Sequence, residues 1–247
     1  MDKIAIITDI HGCLISLETI LKDIEDREIK HIFCLGDLVA KGSQPREALE
    51  LIRDKCEVVI KGNCDDIVGE KGTTQEHFWN KDKIGKENME YLASLPMSYE
   101  LFMSGQKIKL VHASTKDLYN TINLYNIDNN TENEMLNLFD DNDADIVIFG
   151  HAHRMFMYRQ NSKTIVSVGS VSNGCDIMVK NGDEVQYSSY MVLEGEYGKN
   201  DEISSISYEF VKIPYDYESE IKNLEESDMP NKEMAIEELK TGKYVAR

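Results

Sequence analysis

Basic residues are scarce in this chain of 247 residues: 27 Lys and Arg stand against 45 Asp and Glu, a formal net charge of −18. Such a field repels nucleic-acid backbones and anionic membranes, so stable nucleic-acid binding is not expected. A phosphate-bearing ligand needs local cations that reverse the field, and bound metal ions can supply them. Long apolar runs are also missing. No stretch reaches the ~18 residues that would predict a membrane-spanning helix. Met1-Asp2-Lys3 leads straight into a strand-like run, without the pattern of a signal peptide, so the expected address is the cytoplasm. The five cysteines, at 13, 34, 56, 64 and 175, are odd in number and irregular in spacing, with no CxxC. That argues against a disulfide framework or a thiolate zinc finger, and most of them read as small buried hydrophobes. The apolar fraction of 41% and charged fraction of 29% are ordinary for a globular protein and exclude disorder, collagen and coiled coil.

What the first 150 residues do contain is one arrangement repeated. An apolar run of strand length ends, and metal-capable side chains follow at once. Ile4 to Ile7 leads into Asp9 and His11, and Ile32 to Leu35 into Gly36-Asp37. Val58 to Ile60 leads into Gly62-Asn63-Cys64-Asp65, Ile108 to Val111 into His112, and Ile146 to Phe149 into Gly150-His151-Ala152-His153. Most of the runs are apolar without alternation, as in strands covered on both faces. Helical patterns lie between the early ones: Leu14, Leu17, Leu21 and Ile24 form one stripe, and Pro45 opens another with Ala48, Leu49 and Ile52. Strand–helix alternation predicts parallel pairing, with ligands beyond the carboxyl ends of the strands, where all five polar clusters fall.

From about residue 99 the texture changes. Tyr99 to Met103 and Lys107 to Val111 flank Ser104-Gly105-Gln106 and predict a hairpin. Residues 164–168, 184–193 and 204–213 predict further strands, and Glu132 to Phe139 a short helix. The Asn-rich stretch 119–130 predicts a loop in which Tyr119 and Tyr125 could shape a pocket. Two amphipathic segments, near 216–226 and 232–240, are separated by Pro230. With no repeat and no linker-like composition, the expectation is one domain over 1–247, with 214–247 as a C-terminal helical extension packed on it.

Taken singly, Asp9 or Asp37 reads as a turn or cap carboxylate, His112 as an interior histidine, Asn63 as a turn residue, and His151 with His153 as a loop pair. Together the seven residues Asp9, His11, Asp37, Asn63, His112, His151 and His153 form an imidazole and carboxylate set without thiolate. That suits manganese, iron or zinc, with cobalt or nickel also compatible. Seven donors exceed one tetrahedral site and match two ions that share a carboxylate.

These five blocks, in this order and at these separations, resemble the signature of the calcineurin-like metallophosphoesterases. Gly36-Asp37-Leu38-Val39 followed by Gln44-Pro45, and Val168-Gly169-Ser170-Val171 followed by Ser189-Tyr190, resemble a prokaryotic branch labelled diadenosine-tetraphosphatase-like or YfcE-like. The resemblance implies a four-layer α/β/β/α sandwich of two mixed sheets flanked by helices. It implies two divalent ions, one on Asp9, His11 and His153, the other on Asn63, His112 and His151, with Asp37 bridging them. It further implies attack on phosphorus by a hydroxide between the ions, with a phosphorylated small molecule or a phosphodiester as substrate. Asp37, Asn63, Cys64 and Asp65 would form the catalytic group.

The sequence departs from the family pattern at Cys64, where histidine is more usual, and at Ala40 and Lys41, where the protein phosphatases of the family carry Asp and Arg. Val111 stands where glycine is usual. Cys64 reads as a spacer, as a weak leaving-group acid, since a thiol titrates near about 8.5, or as an oxidation-sensitive brake. The Asn-Cys-Asp form also occurs in prokaryotic phosphodiesterases of the family. Asp65 reads as an orienting residue or a helix cap. Arg154, Lys41 and Arg46 are candidate phosphate contacts, each with a plain reading as a solvated charge. A phosphodiesterase or small-metabolite phosphatase is the leading expectation. A serine/threonine protein phosphatase and a catalytically silent scaffold on the same fold are the alternatives. Oligomeric state is not legible.

Overall fold

The computed structural model of the chain describes residues 1–120, 131–140, 143–160, 162–172, 178–180, 183–198 and 201–242. The stretch that holds Tyr125 and the residue Cys175 lie outside the described residues.

The N-terminal half alternates strand and helix as its apolar pattern demands. The elements are β1 (Asp2–Ile7), α1 (Leu14–Asp26), β2 (His31–Cys34), α2 (Pro45–Lys55) and the short β3 (Val58–Val59). β1 pairs in parallel with β2, and β2 with β3. Side chains alternate along each strand. In β1, Ala5 and Ile7 therefore pack on the helices, while Ile4 and Ile6 face the opposite way. Pro45 occupies the first turn of α2, where its missing N–H costs nothing.

Next comes α3 (Asn63–Asp66), running into a π-helical turn, Ile67–Lys71, and then the 20-residue α4 (Gln75–Ser94). The sequence pattern did not reveal α4. Its buried positions Asn80, Ile84, Asn88 and Leu92 recur every fourth residue, but two of the four are asparagine, which breaks the apolar stripe. It also bends at Gly85, whose φ of 75° is open to glycine.

The second sheet contains the expected hairpin, β4 (Ser98–Met103) with β5 (Gln106–Val111). It continues through β6 (Ile146–Phe149), β8 (Lys163–Val168) and β7 (Met155–Gln160), in the order β4-β5-β6-β8-β7. β7 is a half-exposed edge strand whose pattern gave no strand signal. β9 (Met178–Lys180) and β10 (Asp183–Val185) form a separate hairpin. β11 (Tyr187–Gly195) and β12 (Ser207–Pro214) return to the first sheet, which reads β12-β11-β1-β2-β3.

Each sheet mixes parallel and antiparallel pairs. The two stack through Ile4, Ile6, Phe33 and Leu35 on one side and Leu101, Ile108, Leu110, Ile148 and Val166 on the other. α1, α2 and α4 cover the outer face of the first sheet. Met135 of α5 (Thr131–Leu138) packs on the outer face of the second, with Val147, Phe149 and Ile165. The result is the four-layer α/β/β/α arrangement. Val111, the residue that replaces the usual glycine, is 2% exposed in this outer core, so an apolar side chain fits there.

α6 (Tyr217–Glu226) and α7 (Lys232–Thr241) close the described chain, joined through Ile221, Leu224, Met229, Ala235 and Leu239. α6 docks on α1 through Glu220, which is fully buried and accepts the Ile15 N–H at 3.1 Å. Burial lifts this carboxyl to about 7, against the pull of the Ile15 and Ser16 N–H donors. The folded chain therefore keeps the proton while the unfolded chain releases it near the usual 4.5. Stability from this group falls as pH rises between those values and stays reduced above them, by about 3 kcal/mol. A Glu220→Gln variant, which cannot ionise, is expected to melt above the wild type at neutral and alkaline pH. The gap should close near pH 4.5, as paired thermal scans across pH would show.

Candidate metal centre

The five polar clusters meet at one end of the two sheets, beyond the carboxyl ends of β1, β2, β3, β5 and β6. This is the local consequence of parallel pairing: β1, β2 and β3 run together, as do β5 and β6. The backbone leaves each strand abruptly. Asp9, His11, Asp37, His151 and His153 all have left-handed φ, between 53° and 57°. Each such non-glycine residue costs on the order of 1–3 kcal/mol, and strain of this kind concentrates where side chains must converge.

Glycines make the close approach possible. A Cβ on Gly62 would lie 2.2 Å from the Asp37 Oδ1, and one on Gly150 would lie 2.1 Å from the Thr8 Oγ1.

Two groups of donor atoms result. In the first, the Asp9 Oδ1 lies 3.2 Å from the His153 Nε2 and 3.7 Å from the His11 Nε2, and the two histidine nitrogens are 3.1 Å apart. In the second, the Asn63 Oδ1 lies 3.0 Å from the His112 Nε2 and 2.7 Å from the His151 Nδ1. Asp37 touches both: its Oδ2 is 3.7 Å from the His11 Nε2 and its Oδ1 is 3.4 Å from the His112 Nε2. The triads Asp9, His11, His153 and Asp37, His112, His151 each bring one possible ligand atom per residue within 4.8 Å of the others.

Electron pairs face one another here. The His112 Nδ1 donates to the Leu35 carbonyl at 2.8 Å, which leaves its Nε2 facing Asn63 and His151 as the atom that would bind an ion once unprotonated. The Asp9 Oδ2 accepts from the Thr8 Oγ1 and the His151 N–H, both at 2.9 Å, whereas its buried Oδ1 has, apart from the His153 Nε2 beside it, no hydrogen-bond partner among the described residues. Buried acceptors aimed at one another are costly unless a cation lies between them. Charge agrees. Burial would raise the Asp9 carboxyl, but His153 and His112 together hold the group below the usual range. Burial and then His112 act in the same opposed way on Asp37, which also ends low. The pull of Asp37 overcomes burial at His112 and lifts it to about 9, while burial and the His112 charge hold His151 down at about 4, so a divalent ion would bind here by displacing the His112 proton. The donor set thus fits divalent cations: ionised carboxylates, oriented imidazoles and an amide oxygen.

Asp65 does not join the donor groups. Fully buried, it accepts the Asp37 N–H at 2.8 Å, the Leu38 N–H at 2.8 Å and the Gly62 N–H at 2.9 Å, binding the loops after β2 and β3 together. Burial and the Asp37 charge raise it to about 7. Cys64 donates its N–H to the Asp37 Oδ1 at 2.8 Å, and its thiol, pushed up by burial, comes within 4.8 Å of His11 and Asp37 donor atoms. Ala40 has a φ of 88° and donates its N–H to the Asn80 Oδ1 of α4.

Of the three candidate phosphate contacts, Lys41 pairs with Glu238 of α7. Arg46 donates to the Lys83 carbonyl at 2.6 Å and lines a cleft with Trp79 and Asp228 that none of the seven donors borders. Arg154, half-buried, directly follows His153. Tyr119 reaches back to Asp66, which it shares with Lys71. Sequence reasoning missed Asn80 and Ser172, and it gave no role to Thr8 or to Ser170, which lies in the Val168-Gly169-Ser170-Val171 block. The Ser170 Oγ and the Ser172 N–H hold the Asp9 carbonyl, each at 3.1 Å. Such residues carry no local signal, because their partners are distant in sequence.

Residues 2–155 match the family model described as calcineurin-like phosphoesterase. Over 245 residues the chain is 30% identical to "Uncharacterized protein MJ0912" of Methanocaldococcus jannaschii, covering 89% of this chain and 92% of that one. It superposes on a metallophosphoesterase from Sphaerobacter thermophilus with a TM-score of 0.73 at 21% identity, over 98% and 99% of the two chains. With hypothetical protein PH1004 from Pyrococcus horikoshii the TM-score is 0.77 at 17% identity, over 99% and 100%. At these identities the two structures speak to the fold.

Proposed function

The chain belongs to the calcineurin-like phosphoesterase family of metal-dependent hydrolases, and on that premise we propose that it is a two-ion phosphodiesterase or small-metabolite phosphatase. The observation that carries this reading is Asp37, whose two oxygens face different donor groups. In this reading Asp9, His11 and His153 hold one divalent ion, Asn63, His112 and His151 the other, and Asp37 both. Manganese, iron and zinc suit the donors best. Bound there, divalent ions lower the pKa of a coordinated water and neutralise charge on a phosphoryl oxygen.

The chain's own residues do the rest. Leu35 fixes the ring of His112, and Thr8 and the His151 N–H fix the Asp9 carboxylate. Asp65 and the Cys64 N–H fix Asp37. Arg154, next to a donor, is the candidate contact for the substrate phosphate. Where an acidic partner for the leaving group would sit, Cys64 offers only a thiol pushed up by burial, and Ala40 offers nothing ionisable. A weak proton donor favours esters with good leaving groups over phosphoserine or phosphothreonine. Among the described residues no helix is long and apolar enough to cross a membrane.

The test is to purify the chain without chelator and measure metal content beside hydrolysis of bis-p-nitrophenyl phosphate. Near two ions per chain with diesterase activity is the expected result. No retained metal after reconstitution with manganese would overturn the ligand assignment, and a large preference for a phosphopeptide would overturn the substrate class.

A further inference from the structure

A buried ion pair ties the last described helix to the metal-site loop. The loop after Asp37 is pinned against the first donor loop: the Gly42 N–H donates to the His11 carbonyl at 2.6 Å. Gly42 has no room for a side chain, since a Cβ would lie 2.5 Å from backbone atoms of Gly12. Lys41, held between Ala40 and Gly42, sends its ammonium to α7, where the Nζ lies 3.5 Å from the Glu238 Oε2. Both side chains are enclosed, Lys41 at 11% exposure and Glu238 at 2%. The loop closes on the first donor group from both sides of Lys41: besides the Gly42 bond to the His11 carbonyl, the His11 Nδ1 lies 3.4 Å from the Val39 carbonyl.

We propose that Glu238 is a positioning and specificity-determining residue: it holds Lys41 beside the first donor group, offsets its charge, and so biases the site toward monoanionic phosphodiesters over dianionic phosphomonoesters. The inference rests on the two-ion reading of the site. A buried Lys–Glu pair adds little net stability, so its main consequence is the field it makes. A lysine alone would present a full positive charge to the substrate. Paired with Glu238 it presents a dipole, whose attraction falls off faster with distance. A phosphodiester carries one negative charge. A monoester carries about −1.5 to −2 near neutral pH, so it has more to gain from an uncompensated cation. Against the net charge of −18, local cations of this kind decide how much negative charge the site tolerates.

The experiment compares kcat/KM for p-nitrophenyl phosphate and bis-p-nitrophenyl phosphate on the full, manganese-loaded chain. The two esters share a leaving group, so their ratio isolates the effect of charge. In Glu238→Gln the monoester:diester ratio is expected to rise about fivefold, and in Lys41→Gln to fall by a similar factor. The double variant should return to within about twofold of the wild type, the signature of a coupled pair. A simple loss of packing would lower both activities together and leave the ratio in place. Circular dichroism checks folding, and should one single variant fail to fold, the other single measured against the double carries the same comparison. Ratios that stay within about twofold in folded variants, or that move in one direction for both single changes, would overturn the proposal. Hydrolysis of neither ester by the wild type would instead overturn the underlying two-ion reading.

Discussion

Asp37→Ala is expected to abolish metal-dependent hydrolysis, with a loss of about 10³-fold or more in kcat/KM. Of the seven site residues, Asp37 offers an oxygen to each donor group, the Oδ2 toward His11 and the Oδ1 toward His112. Alanine leaves two separated neutral-rich sites: Asp9, His11 and His153 on one side, and Asn63, His112 and His151 on the other. The first keeps a carboxylate and the second has none. Metal content should therefore fall on both sides, and further in the second. Asn63→Ala removes a single donor from the second group. Its expected signature is retention of about one ion per chain with hydrolysis nearly as low, because chemistry that needs both ions fails when either is lost. Metal analysis beside bis-p-nitrophenyl phosphate turnover separates the two variants. Activity within about tenfold of wild type in Asp37→Ala would sink the bridging assignment.

Asp65→Ala is expected to damage the site without touching it. The carboxylate is fully buried and accepts three backbone N–H groups, from Asp37, Leu38 and Gly62. Alanine strands all three donors in a dry interior. Each stranded donor costs on the order of 1–3 kcal/mol, less whatever the loops recover by relaxing, so a total of about 3–5 kcal/mol is expected. Urea unfolding of the metal-free variant would measure it. The same change frees the loop after β2 from the loop after β3. Metal affinity should then drop by about 10- to 100-fold, the range found when residues that orient ligands are removed. Asp65→Asn keeps one acceptor oxygen but turns an NH₂ group toward a backbone N–H, so it should fall between alanine and wild type. An unchanged urea midpoint in Asp65→Ala would show that these hydrogen bonds contribute nothing net.

Both predictions depend on how far a one-dimensional reading can go. The strands before Asp9, Asp37, Asn63 and His151 could be read directly as apolar runs, and the one before His112, interrupted by Lys109, as half of a hairpin. Helices α1 and α2 were legible from their spacing, and α6 and α7 from amphipathic segments around Pro230. α4 was not, since Asn80 and Asn88 sit in its buried stripe and use their amides to hold other elements. Asn80 accepts from Ala40, and Asn88 accepts from the Arg53 Nη1 at 2.6 Å. Edge strand β7, half-exposed, showed no clean alternation.

The sequence by itself determined which side chains lie at the ends of the strands and therefore which could share a site. The reason is local: parallel strands carry whatever follows their carboxyl ends to one edge of the molecule. Only the tertiary structure decided how those residues divide. It turned the two oxygens of Asp37 to different donor groups, forced five donors into left-handed backbone, and put Asp65 behind the site, where it binds the loops together. It also gave Lys41 to Glu238, almost two hundred residues away, and sent Arg46 to another cleft. Charges on loops have no periodic constraint. Their partners are set by which elements pack beside them, and that follows from the burial of the whole chain.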